Sequence, residues 1–148
     1  MFDFTIETEI ARPPGEVFAF VTDPAKLGLW QTDKVSCVPE PDGPLGLGSR
    51  MREVTRAPGG KKVVSLVEVV EYEPGRVFGM RMIEGPPVDG RVTFDPSERG
   101  TRFQFRVYGQ PVGVMRLVEP IFKPIMKRNF GRYCANLKRV LEEPPPRS

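Results

Sequence analysis

The feature that most constrains this chain lies in its last quarter. There Val118, Ile121, Phe122, Ile125, Met126, Phe130, Tyr133, Cys134, Leu137, Val140 and Leu141 recur at steps of three, four and one. That spacing predicts one side of an α-helix, with Lys123, Lys127, Arg128, Arg132, Lys138 and Arg139 largely on the other. From roughly Ile121 to Glu142, at about 1.5 Å per residue, the helix is a rod about 30 Å long. A stripe of that length needs a large apolar partner. The middle of the chain supplies one, because from Val35 to Tyr108 it reads as short strands between Pro and Gly turns, with no amphipathic helix among them. A long terminal helix lying on a mostly antiparallel sheet is the architecture these two facts require.

The first strand is written in strict alternation, with Phe2, Phe4, Ile6, Thr8 and Ile10 between Asp3, Thr5, Glu7 and Glu9. Pro13 and Pro14 then suit a first helical turn, where a missing N–H costs nothing, and Val17, Phe18, Phe20 and Val21 give that short helix its apolar side. Asp23-Pro24 is a second start signal and introduces a helix over Ala25 to Trp30. Further strands are expected near Val35–Val38, Ser49–Arg56, Lys61–Tyr72, Arg76–Ile83, Val88–Phe94 and Thr101–Tyr108. Pro120 and Pro124 each remove a helical hydrogen bond, so a kink or separate turn is expected ahead of the main helix. Three prolines from Pro144 stop it, giving a domain over 1–143 and a flexible tail over 144–148.

Composition removes several function classes. With 148 residues the chain suits one core, and it holds no apolar run of the roughly 20 residues a membrane span requires. With no charged and apolar leader at its start, it is expected to be soluble and cytoplasmic, without stable membrane insertion. A net charge of +3, with the basic residues scattered instead of clustered, gives only a weak argument for nucleic acid or an anionic membrane, and no nucleic-acid partner is expected. Cys37 and Cys134 form no CxxC pair and are expected to be packed thiols. The absence of histidine excludes Ser-His and Cys-His pairs, a His-ligated metal and a histidine general base. Neither a metal nor an organic cofactor is expected. Chemistry, if present, falls to carboxylates, Tyr, Lys, Arg or water.

The order strand, two short helices, six strands and long helix resembles the helix-grip fold of the START and Bet v 1-like (SRPBCC) superfamily, and within it the polyketide cyclase/dehydrase and lipid transport group. The resemblance covers nearly the whole chain. It rests on Ala11-Arg12-Pro13-Pro14-Gly15-Glu16-Val17-Phe18 leading to Asp23-Pro24 and Leu29-Trp30, on Leu47-Gly48-Ser49-Arg50, on Val69-Val70-Glu71-Tyr72-Glu73-Pro74, and on Leu137-Lys138-Arg139-Val140-Leu141-Glu142. It implies an α+β fold in which a seven-stranded curved antiparallel sheet wraps around the long C-terminal helix. Between them the resemblance implies an apolar cavity, opening near the short helices, that takes lipids, polyketides or other hydrophobic small molecules.

Trp30, Val54, Val69, Met80, Met82, Phe94, Phe103, Phe105, Phe122, Met126, Phe130 and Tyr133 are the expected pocket lining, although any single residue of these types is more often ordinary core. Candidates for chemistry are Glu53, Glu68, Glu71, Arg81, Gln104, Arg106, Tyr108, Asn129 and Tyr133, with Tyr133 foremost because it sits in the apolar stripe and its hydroxyl needs a partner. By strand alternation Glu68 and Glu71 fall on opposite faces, so one would point inward. Strand Lys61–Tyr72 is apolar on both faces, which leaves a homodimer open. Binding or carriage of a hydrophobic small molecule is the favoured function; a metal-free cyclase or dehydratase and a protein interaction module with a residual cavity are the alternatives. The basic helix also suggests a membrane surface, at the cost of undocking it from the sheet.

Overall fold

The computed structural model describes residues 1–57, 59–110, 113 and 115–143. The expected tail over 144–148 lies outside these residues, as does part of the link between the last strand and the long helix. Strand β1 (Phe2–Ile10) is followed by helix α1 (Pro14–Val21), a 3-10 turn (Pro24–Lys26) and α2 (Leu27–Trp30). Then come β2 (Lys34–Glu40), β3 (Arg50–Arg56), β4 (Lys62–Glu73), β5 (Val77–Glu84), β6 (Asp89–Pro96), β7 (Thr101–Gly109) and α3 (Met115–Glu142). All seven strands form one antiparallel sheet in the order β1-β7-β6-β5-β4-β3-β2. Successive hairpins build β2 to β7, and the sheet is completed when β1 returns beside β7, from Phe2 opposite Gly109 to Ile10 opposite Thr101.

Alternation decides what faces the helix. In β1 and β7 the side chains Phe2, Phe4, Ile10, Phe103, Phe105 and Val107 are buried, while Asp3, Glu7, Arg102 and Arg106 are exposed. The outer charges pair across the strands, as in the bidentate Arg106–Asp3 contact at 2.7 and 3.0 Å. That pairing holds the Asp3 carboxyl below the usual carboxylate range, through the Arg106 hydrogen bond first. The Asp23 side chain accepts from the Ala25 N–H at 3.0 Å and Pro24 follows in the first turn, so the Asp-Pro signal starts the short helical segment as its chemistry requires.

One inner seam is aromatic. Phe18 of α1 meets Tyr72, Phe78 and Phe94 edge-on, Phe94 meets Phe103, and Trp30 of α2 meets Phe103 and Tyr133. Each such pair adds about 0.5–1.5 kcal/mol beyond area burial. The far half of α3 closes this seam with Tyr133, Cys134 and Leu137, all buried, and Asn136 donates to the Trp30 carbonyl at 3.1 Å. The short and long helices are thereby tied together.

Three expectations need correction. First, α3 is continuous from Met115 through both Pro120 and Pro124. Both prolines are exposed, so the carbonyls they leave unbonded, those of Arg116 and Pro120, belong to the solvent side of the rod. Second, the apolar stripe is not all inward: Val118, Ile121 and Ile125 are exposed, and Phe122, Met126 and Phe130 take the inner face. Third, Glu68 and Glu71 share the outer face. Val69 pairs with Met80 but Glu71 pairs with Gly79, so an irregularity at Val70 shifts the alternation by one residue. Glu68 meets Arg50 at 3.3 Å and Arg81 at 3.9 Å, and Glu71 accepts from Arg91 at 2.8 Å.

Candidate functional site

Between α3 and the sheet lies a cavity of about 310 Å³. Its floor is made by the inward residues of successive strands: Met51, Glu53 and Thr55 of β3, Val63, Ser65 and Val67 of β4, Met80 and Met82 of β5, Val92 of β6 and Phe105 of β7. Met126, Asn129, Phe130 and Tyr133, on successive turns of α3, form its roof. Val21 to Pro24, Leu27 and Trp30 close the side nearest the short helices, while Leu45 and the Pro86–Val88 turn border it elsewhere. Four methionines and five aromatic rings, with valines and leucines between them, form the apolar part of this wall, an adaptable lining.

One end is polar. Tyr133 donates its hydroxyl proton to Asp33 Oδ1 at 2.5 Å and accepts from Asn129 Nδ2 at 3.1 Å, while Arg132 donates to Asn129 Oδ1. Burial first, and then the Asp33 carboxylate, push the Tyr133 hydroxyl far above the ordinary phenol range. Beside this chain of bonds, Lys34 Nζ lies 3.0 Å from Thr55 Oγ1 and 3.6 Å from Glu53 Oε1. Glu53 is buried, so its ion pair is a sheltered one that also bears on Cys37. The Cys37 thiol, donating to Met51 Sδ at 3.6 Å, is pushed up to about 12 by burial and by Glu53. Burial alone raises Cys134 to about 12, so both cysteines are protonated, packed groups.

Of the residues singled out in the sequence, the fold brings Trp30, Met80, Met82, Phe105, Met126, Phe130 and Tyr133 together on the cavity wall. Val54, Val69, Phe94, Phe103 and Phe122 lie elsewhere. Val54 is out of phase with Met51, Glu53 and Thr55 and pairs with exposed Val64 on the outer face. Phe94 and Phe103 are locked in the aromatic seam, Val69 is buried in the same core, and Phe122 packs edge-on against Phe2. Among the polar candidates, Glu53, Asn129 and Tyr133 reach the cavity. Arg81 borders it, but its exposed guanidinium faces Glu68 on the outside. Gln104, Arg106 and Tyr108 follow the outward parity of β7, with Arg106 stacked 4.6 Å over the Tyr108 ring. Asp33, Lys34 and Ser65 also line the cavity, and no sequence pattern marks them. Asp33 and Lys34 occupy the junction between α2 and β2, where no periodicity announces a face, and Ser65 is a small polar residue on an otherwise apolar strand.

The sequence profile of the family described as polyketide cyclase / dehydrase and lipid transport matches residues 1–142. The chain belongs to this family. No curated protein matches it. Among solved structures, TTHA0849 from Thermus thermophilus is 22 % identical, with 95 % of this chain and 97 % of that one covered at a TM-score of 0.79. CV1439 from Chromobacterium violaceum is 18 % identical over 96 % and 99 % of the two chains, TM-score 0.70. The Bet v 1 homologue Ara h 8.0201 is 13 % identical over 96 % and 99 %, TM-score 0.69. At these identities the likeness is one of fold alone, a helix-grip architecture. Among the described residues, no helix of this family member is long and apolar enough to cross a membrane.

Proposed function

We propose that this family member binds and carries an apolar small molecule, of the lipid or polyketide kind, in the cavity beneath α3. The observation that supports this most is the 310 Å³ space itself, walled by Val67, Met80, Met82, Met126 and Phe130. A volume in that range suits a compact apolar ligand. The polar end fixes orientation, with Thr55, Ser65 and the Lys34–Glu53 pair offering hydrogen bonds to a hydroxyl or carbonyl. The entrance in this reading lies among the short helices, Leu45 and the Pro39–Gly48 loop.

Carriage is preferred to a cyclase or dehydratase reaction because the strongest acid–base candidates satisfy one another. Tyr133 is engaged by both Asp33 and Asn129, and Lys34 by both Thr55 and Glu53. A phenol held by a carboxylate, with its ionisation driven further up, is a poor proton donor near neutral pH.

Trp30 is the sole tryptophan, 1 % exposed and on the cavity wall, so it reports occupancy directly. Titration with long-chain alcohols and sterols is expected to change its emission saturably. The binding ligand should also raise the melting temperature, with about 2.7 kcal/mol of stabilisation at a hundredfold excess over Kd. Flat emission and unmoved melting across the panel would contradict carriage.

A further inference from the structure

We propose that the first half of α3 is a docking face for an anionic phospholipid surface. Leu117, Ile121 and Ile125 stand at i, i+4 and i+8, on one side of the helix, and are 80 %, 68 % and 63 % exposed. The neighbouring stripe, Phe122 and Met126, already packs against the core, so this segment has two apolar stripes and the sheet covers one. Single exposed hydrophobics need no explanation, but a row of them over three turns of helix marks a contact surface.

Charge identifies the occupant. Arg116, Lys127, Arg128 and Arg132 are exposed on the same segment, and Glu119 is the sole carboxylate between residues 115 and 141. The carboxylate partners found for α3 cations among the described residues come in its last turns, Lys138–Glu142 and Arg139–Glu143. A second copy of this chain meeting the face about a two-fold axis would set these cations against their own images. Anionic headgroups neutralise them, while Leu117, Ile121 and Ile125 enter the acyl boundary; this is the division of labour of an interfacial amphipathic helix. No undocking is needed.

The position gives the contact a purpose. Ile125 is followed by Met126, which lines the cavity, and Phe122 packs on Phe2. Gly109 stands where a Cβ would collide with Phe2 and the Pro87 carbonyl, which places the Pro86–Val88 border of the cavity at this same end. A docked α3 thus lies against the membrane along the roof of the site, which suits collection or delivery of an apolar cargo.

The test is sedimentation of the full chain with phosphatidylcholine vesicles, with and without about 30 % phosphatidylglycerol. Binding is expected only with the anionic lipid, falling as salt rises. The double variant Ile121→Glu/Ile125→Glu is expected to lose at least tenfold in partition. Lys127→Glu/Arg128→Glu should lose about fivefold or more per residue, with Trp30 emission unchanged in both because neither pair lines the cavity. Wild-type protein remaining in the supernatant, or an apolar variant pelleting like wild type, overturns the proposal. So does a dimer in sedimentation velocity that Ile121→Glu/Ile125→Glu disperses, since the face would then belong to a second copy.

Discussion

Phe103→Ala is expected to cost about 3–5 kcal/mol, a large share of the stability of a domain this size. Phe103 is 0 % exposed and its ring meets Trp30, Phe94 and Phe105 edge-on, so truncation leaves a hole bordered by three rings anchored on different elements. None of those rings can close the gap without abandoning another contact, because Phe94 is also held by Phe18, Trp30 by Tyr133 and Phe105 by Phe130. Phe122→Ala provides the contrast. Phe122 is half-buried with one aromatic partner, Phe2, near the exposed start of α3, and its loss should cost less than about 2 kcal/mol. Urea unfolding of both variants checks the ranking; equal losses would mean that the seam is not the anchor of the fold.

Val67→Trp is expected to abolish ligand binding, by about a hundredfold or more in Kd, while the protein remains folded. Val67 stands on the cavity floor in β4, paired with Met51 on one side and Met82 on the other, so an indole there projects into the space a ligand needs. In a close-packed core such a substitution forces strain of about 1–3 kcal/mol, but beside an open volume part of the new side chain is accommodated. Denaturant unfolding and ligand titration on the same sample separate the two effects. A folded Val67→Trp protein that still binds an apolar ligand with wild-type affinity would place the site elsewhere.

How much of this could be read from the residues depends on how strongly each segment is patterned. β1 and β7 alternate without exception, and their inner faces follow directly. The Asp23-Pro24 start and the Gly and Pro turns place the short helices and the remaining strands to within a residue or two, because those residues act through local backbone chemistry. The site was harder. In β3, Met51 sets the inward phase and therefore selects Glu53 and Thr55, while Val54, hydrophobic but out of that phase, faces outward. In β4 an irregularity at Val70 moved Glu71 to the outside, and no single residue there signals it. The helix is the most instructive case. Leu117-Ile121-Ile125 and Phe122-Met126-Phe130 have the same periodicity one residue apart, so spacing alone cannot say which stripe the sheet covers. Asp33 and Lys34 enter the site through the chain path after α2, which only the assembled fold defines.

Native mass spectrometry of the protein incubated with apolar ligands, alongside Val67→Trp, tests the central claim most directly. Wild-type protein should carry one equivalent of an apolar small molecule, released and identified on denaturing extraction, and Val67→Trp should appear at its bare mass. Wild type at its bare mass throughout, or both proteins holding the same ligand, would contradict the assignment of the space beneath α3 as a cargo site.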